Sequence, residues 1–392
     1  MYGPSSHSVR RVKMSLDYLK ETLKKHRRAL HQIPEIAFDL PQTHAYVKKV
    51  LVSLGFEPMT IAQTGLIAIK KGVRKETIAF RSDMDALNVL EQTNVDFASK
   101  YQGKMHACGH DGHMAMLLGF AEHLSHQKSL QYNVMLIFQP AEEGPGGAKI
   151  IVDSGILEKH HVLRIFGIHL YPDLKEGIYG LVDGPMMAQN GEFDLSIKGV
   201  SAHGAQPHAS KDAIIVAAQL ITQYQHIVSR QVDPLQSAVV TIGTIEGGEA
   251  RNIIAHSVHM KGTIRAFHQN TYDAIKESIR KINAGLEMTY GVNIDMDLRD
   301  YYPAVINDHQ LFLEVQQQLK SNSYEMIKPM MFAEDFSFYQ QVVPGLFVML
   351  GTKNESLGYT HPLHSCYFNF LEDVLTKGVE LYDTIARTYQ IY

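Results

Sequence analysis

Met105-His106-Ala107-Cys108-Gly109-His110-Asp111-Gly112-His113 places a thiol, three imidazoles and a carboxylate within nine residues, with two glycines among them. Two chemistries use such a cluster. Cys108 can be a nucleophile activated by a neighbouring histidine, or Cys108 and His110 can hold a metal ion. The stretch also carries a fold signal. Gly109 lies in a turn ahead of an apolar helical stretch, Met114 to His123, and Tyr132 to Phe138 then reads as a buried strand ending at Gln139-Pro140.

Outward from the cluster, strand, loop and helix alternate. Thr77 to Arg81 is predicted as a core strand running into Ser82-Asp83-Met84-Asp85. The loop Glu142-Glu143-Gly144-Pro145-Gly146-Gly147 precedes a helix to about Ser154, and Arg164 to His169 is a strand ending at His169. Ser15 is a candidate cap for a helix reaching His31, and a second helix follows Pro41-Gln42-Thr43 and stops at Gly55. This alternation predicts an α/β sheet with ligands at strand ends.

From about Gly184 the texture changes. Phe193 to Lys198, Ser237 to Thr244, Ser257 to Arg265 and Val292 to Leu298 read as strands, with helices at Asp212 to Ser229 and Thr271 to Leu286. That β-α-β-β-α-β order is the ferredoxin-like pattern. The expected architecture is a mixed-sheet α/β catalytic domain over 14–184 and 305–392, interrupted by an α+β domain over 185–304. The inserted domain is expected to be a lid and dimerisation unit, its exposed strands making a homodimer the expected assembly.

Composition narrows the class. The chain has 392 residues, 45% of them hydrophobic and 20% charged, enough for two domains with full-sized cores. Its 37 basic and 41 acidic residues carry no long run of one sign, which argues against nucleic acid and membrane surfaces as partners. Apolar runs fall short of the roughly 20 residues of a membrane span. Cys108 and Cys366 are the two cysteines, so no disulfide framework is expected and the cytoplasm is the expected compartment. Met1 to Val9 read as a polar tail, Cys366 as a small buried hydrophobe, and His123, His126, His160 and His161 as exposed residues without a role.

Cys108, His110, the Glu142-Glu143 pair, His169 and His364 stand at strand ends or in glycine-rich loops. A metal site needs N, O and S donors converging from several elements. A doubled carboxylate divides the work: one Glu binds the ion, its neighbour takes a proton from water. Asp83 or Asp85 can orient a histidine ligand from behind.

These segments resemble the signatures of the metal-dependent N-acyl-amino-acid amidohydrolases, within the aminoacylase/carboxypeptidase superfamily. The likeness rests on Met105 to His113, Phe138-Gln139-Pro140-Ala141-Glu142-Glu143, Gly167-Ile168-His169, Arg81-Ser82-Asp83-Met84-Asp85-Ala86-Leu87, Glu334-Asp335-Phe336-Ser337 and Pro362-Leu363-His364-Ser365. The resemblance implies Cys108, His110, Glu143, His169 and His364 as ligands to one or two divalent ions per subunit. Mn²⁺ or Zn²⁺ is expected, with Co²⁺ or Ni²⁺ also compatible. It implies Glu142 as general base, Asp83 as a second catalytic carboxylate, and His203, Asn252 and Arg265 as substrate binders. His203 matches a histidine that often acts across a dimer interface. Asn88, Ala255 and Leu40 depart from the family pattern in loops rather than at ligands.

The expected reaction is hydrolysis of the amide of an N-acyl amino acid, N-acetyl or similar. N-acetyldiaminopimelate deacetylase and a dipeptidase or aminopeptidase of the same superfamily are the alternatives. A cysteine hydrolase built on Cys108 and a catalytically inactive binding protein are the rival classes.

Overall fold

The computed structural model describes residues 16–392. Strands β1 (Met59–Ile61), β2 (Gly65–Lys70), β3 (Thr77–Asp83), β4 (Asn133–Gln139), β5 (Val162–Lys175) and β6 (Tyr179–Leu181) precede a short β7 (Gly184–Met187). Then come β8 (Gln189–Lys198), β9 (Ala238–Gly247), β10 (Ser257–Ala266) and β11 (Asn293–Asp300). The chain closes through β12 (Val305–Asn307), β13 (Tyr324–Met326) and β14 (Gly345–Lys353). The helices are α1 (Lys20–His31), α2 (Pro41–Ser53), α3 (His110–Ser125), α4 (Gly147–Asp153), α5 (Ile156–Lys159), α6 (Ala213–Arg230), α7 (Gln269–Tyr290), α8 (His309–Gln316), α9 (Ser337–Gln340) and α10 (Leu375–Thr388).

The main sheet is mixed, in the order β1-β2-β4-β3-β5-β14-β6-β13, with parallel pairs β4/β3, β3/β5 and β5/β14 at its centre. Its central strands are apolar without alternation because both faces are covered. Ile78 and Phe80 of β3 and Leu136 and Phe138 of β4 pack toward α1, α3 and α10. Ala79, Met135 and Ile137 face the opposite layer, which holds Ile151 of α4 and Tyr339 of α9.

A four-stranded antiparallel sheet, β11-β8-β10-β9, has its own apolar cluster. Phe193, Leu195 and Ile197 alternate inward from β8 and meet Val216 and Leu220 of α6 and Ile275 and Ile279 of α7. Asp212 caps α6, its carboxylate accepting from Ile214 N at 2.9 Å. The chain passes between the two sheets at β7 and β12, which pair antiparallel with Val305 opposite Met187.

Several local readings change. His169 lies in the middle of β5, which continues to Lys175, because β14 keeps pairing with it beyond that point. Helix α3 begins at His110, four residues ahead of the apolar stretch, since its polar first turn is also buried. His123 is buried, with Nε2 3.2 Å from Asp383 and Nδ1 3.1 Å from the Tyr18 hydroxyl. Cys366 is half-buried rather than buried. Ser15 and Met1 to Val9 lie outside the described residues. Among those residues no helix is long and apolar enough to cross a membrane.

Candidate metal centre

The two glycines of the Met105–His113 stretch have separate tasks. Gly109 has φ +86°, which lets the chain turn sharply from Cys108 into α3. Gly112 sits where a Cβ would lie 2.8 Å from Leu170 Cδ1 and 2.9 Å from Phe370, so only a missing side chain lets α3 approach β5. The turn and the approach bring Cys108 and His110 against His169. Glu143 arrives from the turn after β4. His364 arrives from the loop after β14, with φ +66° and its N–H donating to Ala107 O at 2.8 Å.

Two of the buried histidines, His110 and His169, are oriented by a carbonyl, which can only accept. His110 Nδ1 lies 2.8 Å from Asp85 O and His169 Nδ1 2.7 Å from Leu170 O, so both carry their proton on Nδ1 and present Nε2. His110 Nε2 is buried and has no hydrogen-bond partner. Cys108 Sγ is 3.5 Å from His169 Nε2, and Glu143 Oε1 is 3.3 Å from His364 Nε2. Donor atoms of Cys108, His110 and His169 all lie within 4.8 Å of one another, and so do those of Cys108, Glu143 and His364. These donor types and the orphaned nitrogen fit divalent cations.

The electrostatics agree. Burial works against a charge on His110, yet Asp83, Asp85 and Glu143 outweigh it and push its pKa up to about 10. The surroundings therefore favour a cation. Burial holds His169 well below its usual range, leaving a neutral donor. Burial, with Glu143 and Glu142 beside it, pushes the Cys108 thiol far up. A nucleophilic cysteine needs the opposite shift, so the cysteine-hydrolase reading loses its chemistry, whereas a bound cation deprotonates a coordinating thiol outright.

Asp83 lies behind the donors. Its Oδ1 is 2.6 Å from His113 Nδ1 and its Oδ2 accepts from Arg81 at 2.9 Å. Leu170 N donates to His113 Nε2 at 2.9 Å, so His113 is saturated and ties Asp83 to the strand bearing His169. Arg81 also meets Asp335 at 2.8 Å and Glu334 at 3.0 Å, all three carboxylates being buried. Replacing Arg81 by Met is expected to lower unfolding free energy by about 3–5 kcal/mol, because the carboxylates lose their countercharge. Urea denaturation checks this, and an unchanged midpoint would show that the network does not depend on the guanidinium.

Asp85 secures the glutamate pair by accepting from Glu142 N at 2.9 Å and Glu143 N at 3.1 Å. The Tyr302 hydroxyl donates to Glu142 O at 2.8 Å. Burial, then Glu334 and Glu143, raise the Glu142 carboxyl well above the usual range. Glu142 lines a cavity of about 410 Å³ together with Cys108, Glu143, His169, His364 and Arg265. The Arg265 guanidinium enters from β10, and its buried Nη1 has no hydrogen-bond partner. His203 and Asn252 lie outside this cavity. Both are exposed on the second unit, where Gly204 N donates to Asn252 O and His203 pairs with Ile253.

Asp83 is likewise outside the cavity lining, with both oxygens taken. Tyr302 and Arg81 were not among the expected site residues. An arginine inside the otherwise apolar run of β3 was a signal for a buried network, whereas nothing near Tyr302 in sequence pointed to Glu142.

Soft and hard donors converging at the main sheet, with the Glu142 carboxyl beside them, are the donor set of a metal-dependent hydrolase centre. The chain belongs to peptidase family M20/M25/M40, whose model matches residues 79–388. It is 39% identical over 373 residues to IAA-amino acid hydrolase ILR1-like 4 of Arabidopsis thaliana, covering 93% of this chain and 84% of that protein. It is 38% identical over 369 residues to the N-acetyldiaminopimelate deacetylase of Leuconostoc citreum, covering 91% and 94%. Among solved structures, the Bacillus subtilis YXEP protein, described as a dinuclear metal binding peptidase of the M20 family, superposes with a TM-score of 0.83 at 32% identity. That match covers 95% of this chain and 99% of YXEP.

Proposed function

We propose that the protein hydrolyses the amide of N-acyl amino acids at a two-ion centre in which Cys108 is shared. The observation that carries this reading is the pair of three-donor sets, Cys108-His110-His169 and Cys108-Glu143-His364, beside the protonatable Glu142. Divalent cations held there supply a Lewis acid and lower the pKa of water from about 15.7 to about 7. Glu142 takes the proton from the attacking water and returns it to the departing amine nitrogen. Arg265 clamps the amino acid's carboxylate, since a guanidinium offers two parallel donors. Asp83 acts through Arg81 and His113, keeping the donor-bearing strands in register.

The segments 14–184 and 305–392 would form the catalytic domain, and 185–304 a lid that also dimerises. In support, β9 is a largely exposed edge strand of the second sheet. Exposed Val200, Ile214 and Ile253 lie on the segments flanking His203. A second copy docked there would bring His203 toward the developing oxyanion, which its own cavity lacks. Asn252 would take part in the same contact.

Exhaustive chelation is expected to abolish hydrolysis of a panel of N-acyl amino acids, and Mn²⁺ or Zn²⁺ to restore it. The reading fails if the metal-free protein keeps its rate, or if the metal-loaded protein turns over no member of the panel.

A further inference from the structure

The backbone of Glu142 is held from two sides, and the second holder comes from outside its own layer. Asp85, in the loop after β3, accepts from Glu142 N and Glu143 N. Glu142 O accepts from the Tyr302 hydroxyl at 2.8 Å, and among the described residues no other group donates to it. The backbone there needs such fixing. Ala141, just ahead of Glu142, has φ +58°, a left-handed conformation that a residue with a side chain keeps only where its surroundings impose it. The Tyr302 ring is confined as well. It meets Phe338 edge-on at 6.0 Å between centroids, and a Cβ on Gly146 would lie 3.0 Å from its Cε1.

Tyr302 does not belong to the loop it holds. It lies between β11 and β12, on the segment that leaves the second sheet. Asn190, at the start of β8 on the entering segment, fixes that stretch through three bonds. Tyr302 N donates to Asn190 Oδ1 at 2.9 Å, Asn190 N donates to Tyr302 O at 3.0 Å, and Tyr301 N donates to Asn190 O at 3.0 Å. Asn190 in turn stands opposite Arg265 in the β8/β10 pair. Arg265 and Tyr302 line the cavity with Glu142, whereas Asn190 does not. One short chain of contacts thus runs from the strand that carries Arg265, through Asn190 and Tyr302, to Glu142.

We infer that Tyr302 is a positioning residue: held by Asn190, it makes the seating of Glu142 depend on where the second sheet lies. The general base then faces the attacking water correctly only when the strand bearing Arg265 is in place at the cavity. Grip on the substrate and readiness of the base are thereby joined. Binding energy away from the reacting bond can in this way raise kcat rather than only lower KM. The inference rests on the hydrolase reading above, with Glu142 as base and Arg265 as carboxylate clamp, and deepens it.

Tyr302→Phe removes the hydroxyl and keeps the ring against Gly146 and Phe338. With the metal-loaded enzyme and the best substrate of the N-acyl-amino-acid panel, kcat should fall about three- to tenfold, the range of one lost hydrogen bond. KM should stay within about twofold, and metal content at the wild-type value, because neither a metal donor nor Arg265 is touched. Asn190→Ala, a change outside the cavity that takes away the acceptor of Tyr302 N, should lower kcat to a similar extent. The double variant should fall no further than the lower of the two singles, since both break one chain. An unchanged kcat in either single variant, a fall matched by lost metal, or losses that multiply in the double variant would each overturn the inference. If Tyr302→Phe does not fold, Asn190→Ala carries the test by itself. In all these outcomes the wild-type rate leaves the hydrolase reading intact. A wild-type protein that turns over no member of the panel would overturn that reading, and this inference with it.

Discussion

Glu142→Gln should lower kcat by about 10²–10⁴-fold, the usual contribution of a positioned general base, while metal content stays at the wild-type value. The substitution is nearly isosteric. It keeps the backbone bonds that seat the residue, Glu142 N to Asp85 and Tyr302 Oη to Glu142 O, because neither involves the carboxylate. It also removes a carboxyl from a buried group that includes Glu334 and Asp335, so folding should not suffer. Elemental analysis beside steady-state kinetics checks both halves. A near-normal rate with full metal would remove Glu142 from the proton path. Loss of metal would make it a ligand, contrary to the division of labour with Glu143.

Cys108→Ala should weaken binding at both ions by more than the about 10–100-fold typical of a lost outer partner, and activity should disappear with them. The expectation follows from the shared position of Sγ in both three-donor sets. Metal-to-protein ratios after equilibrium dialysis, measured against wild type, distinguish the outcomes. Retention of one tightly held ion would show that Cys108 serves one set only. Retention of both would remove it from the centre altogether. The alanine should be tolerated by the fold, since a small buried thiol is replaced by a smaller apolar side chain at modest cost.

The main sheet was legible because its central strands are buried on both faces and so appear as unbroken apolar runs. Ile78-Ala79-Phe80 and Val134 to Phe138 need no partner to be recognised. The β-α-β-β-α-β order of the second unit was legible from clean alternation, as in Phe193, Leu195 and Ile197. Short strands such as β6, β7, β12 and β13 were not, because three or four residues carry no period, and their pairing comes from distant segments. His123 was misplaced for a related reason. A histidine near the end of α3 looks exposed until Asp383 of α10 closes over it.

By itself the sequence determined which donors are present, because ligand chemistry resides in residue type: a thiol, imidazoles and a doubled carboxylate beside turn-forming glycines. It also determined the family, through motifs whose spacing survives without coordinates. The tertiary structure alone brought those donors together. The two three-donor sets sharing Cys108 arise where α3, the turn after β4, β5 and the loop before α10 meet, and no local pattern encodes that meeting. It likewise decided that Asp83 faces Arg81 and His113 instead of the cavity, and that Arg265 reaches the cavity while His203 and Asn252 do not. The physical reason is the same in each case. A side chain's chemistry is set by its own atoms, whereas its partners are set by long-range packing that brings residues hundreds of positions apart within a few ångströms.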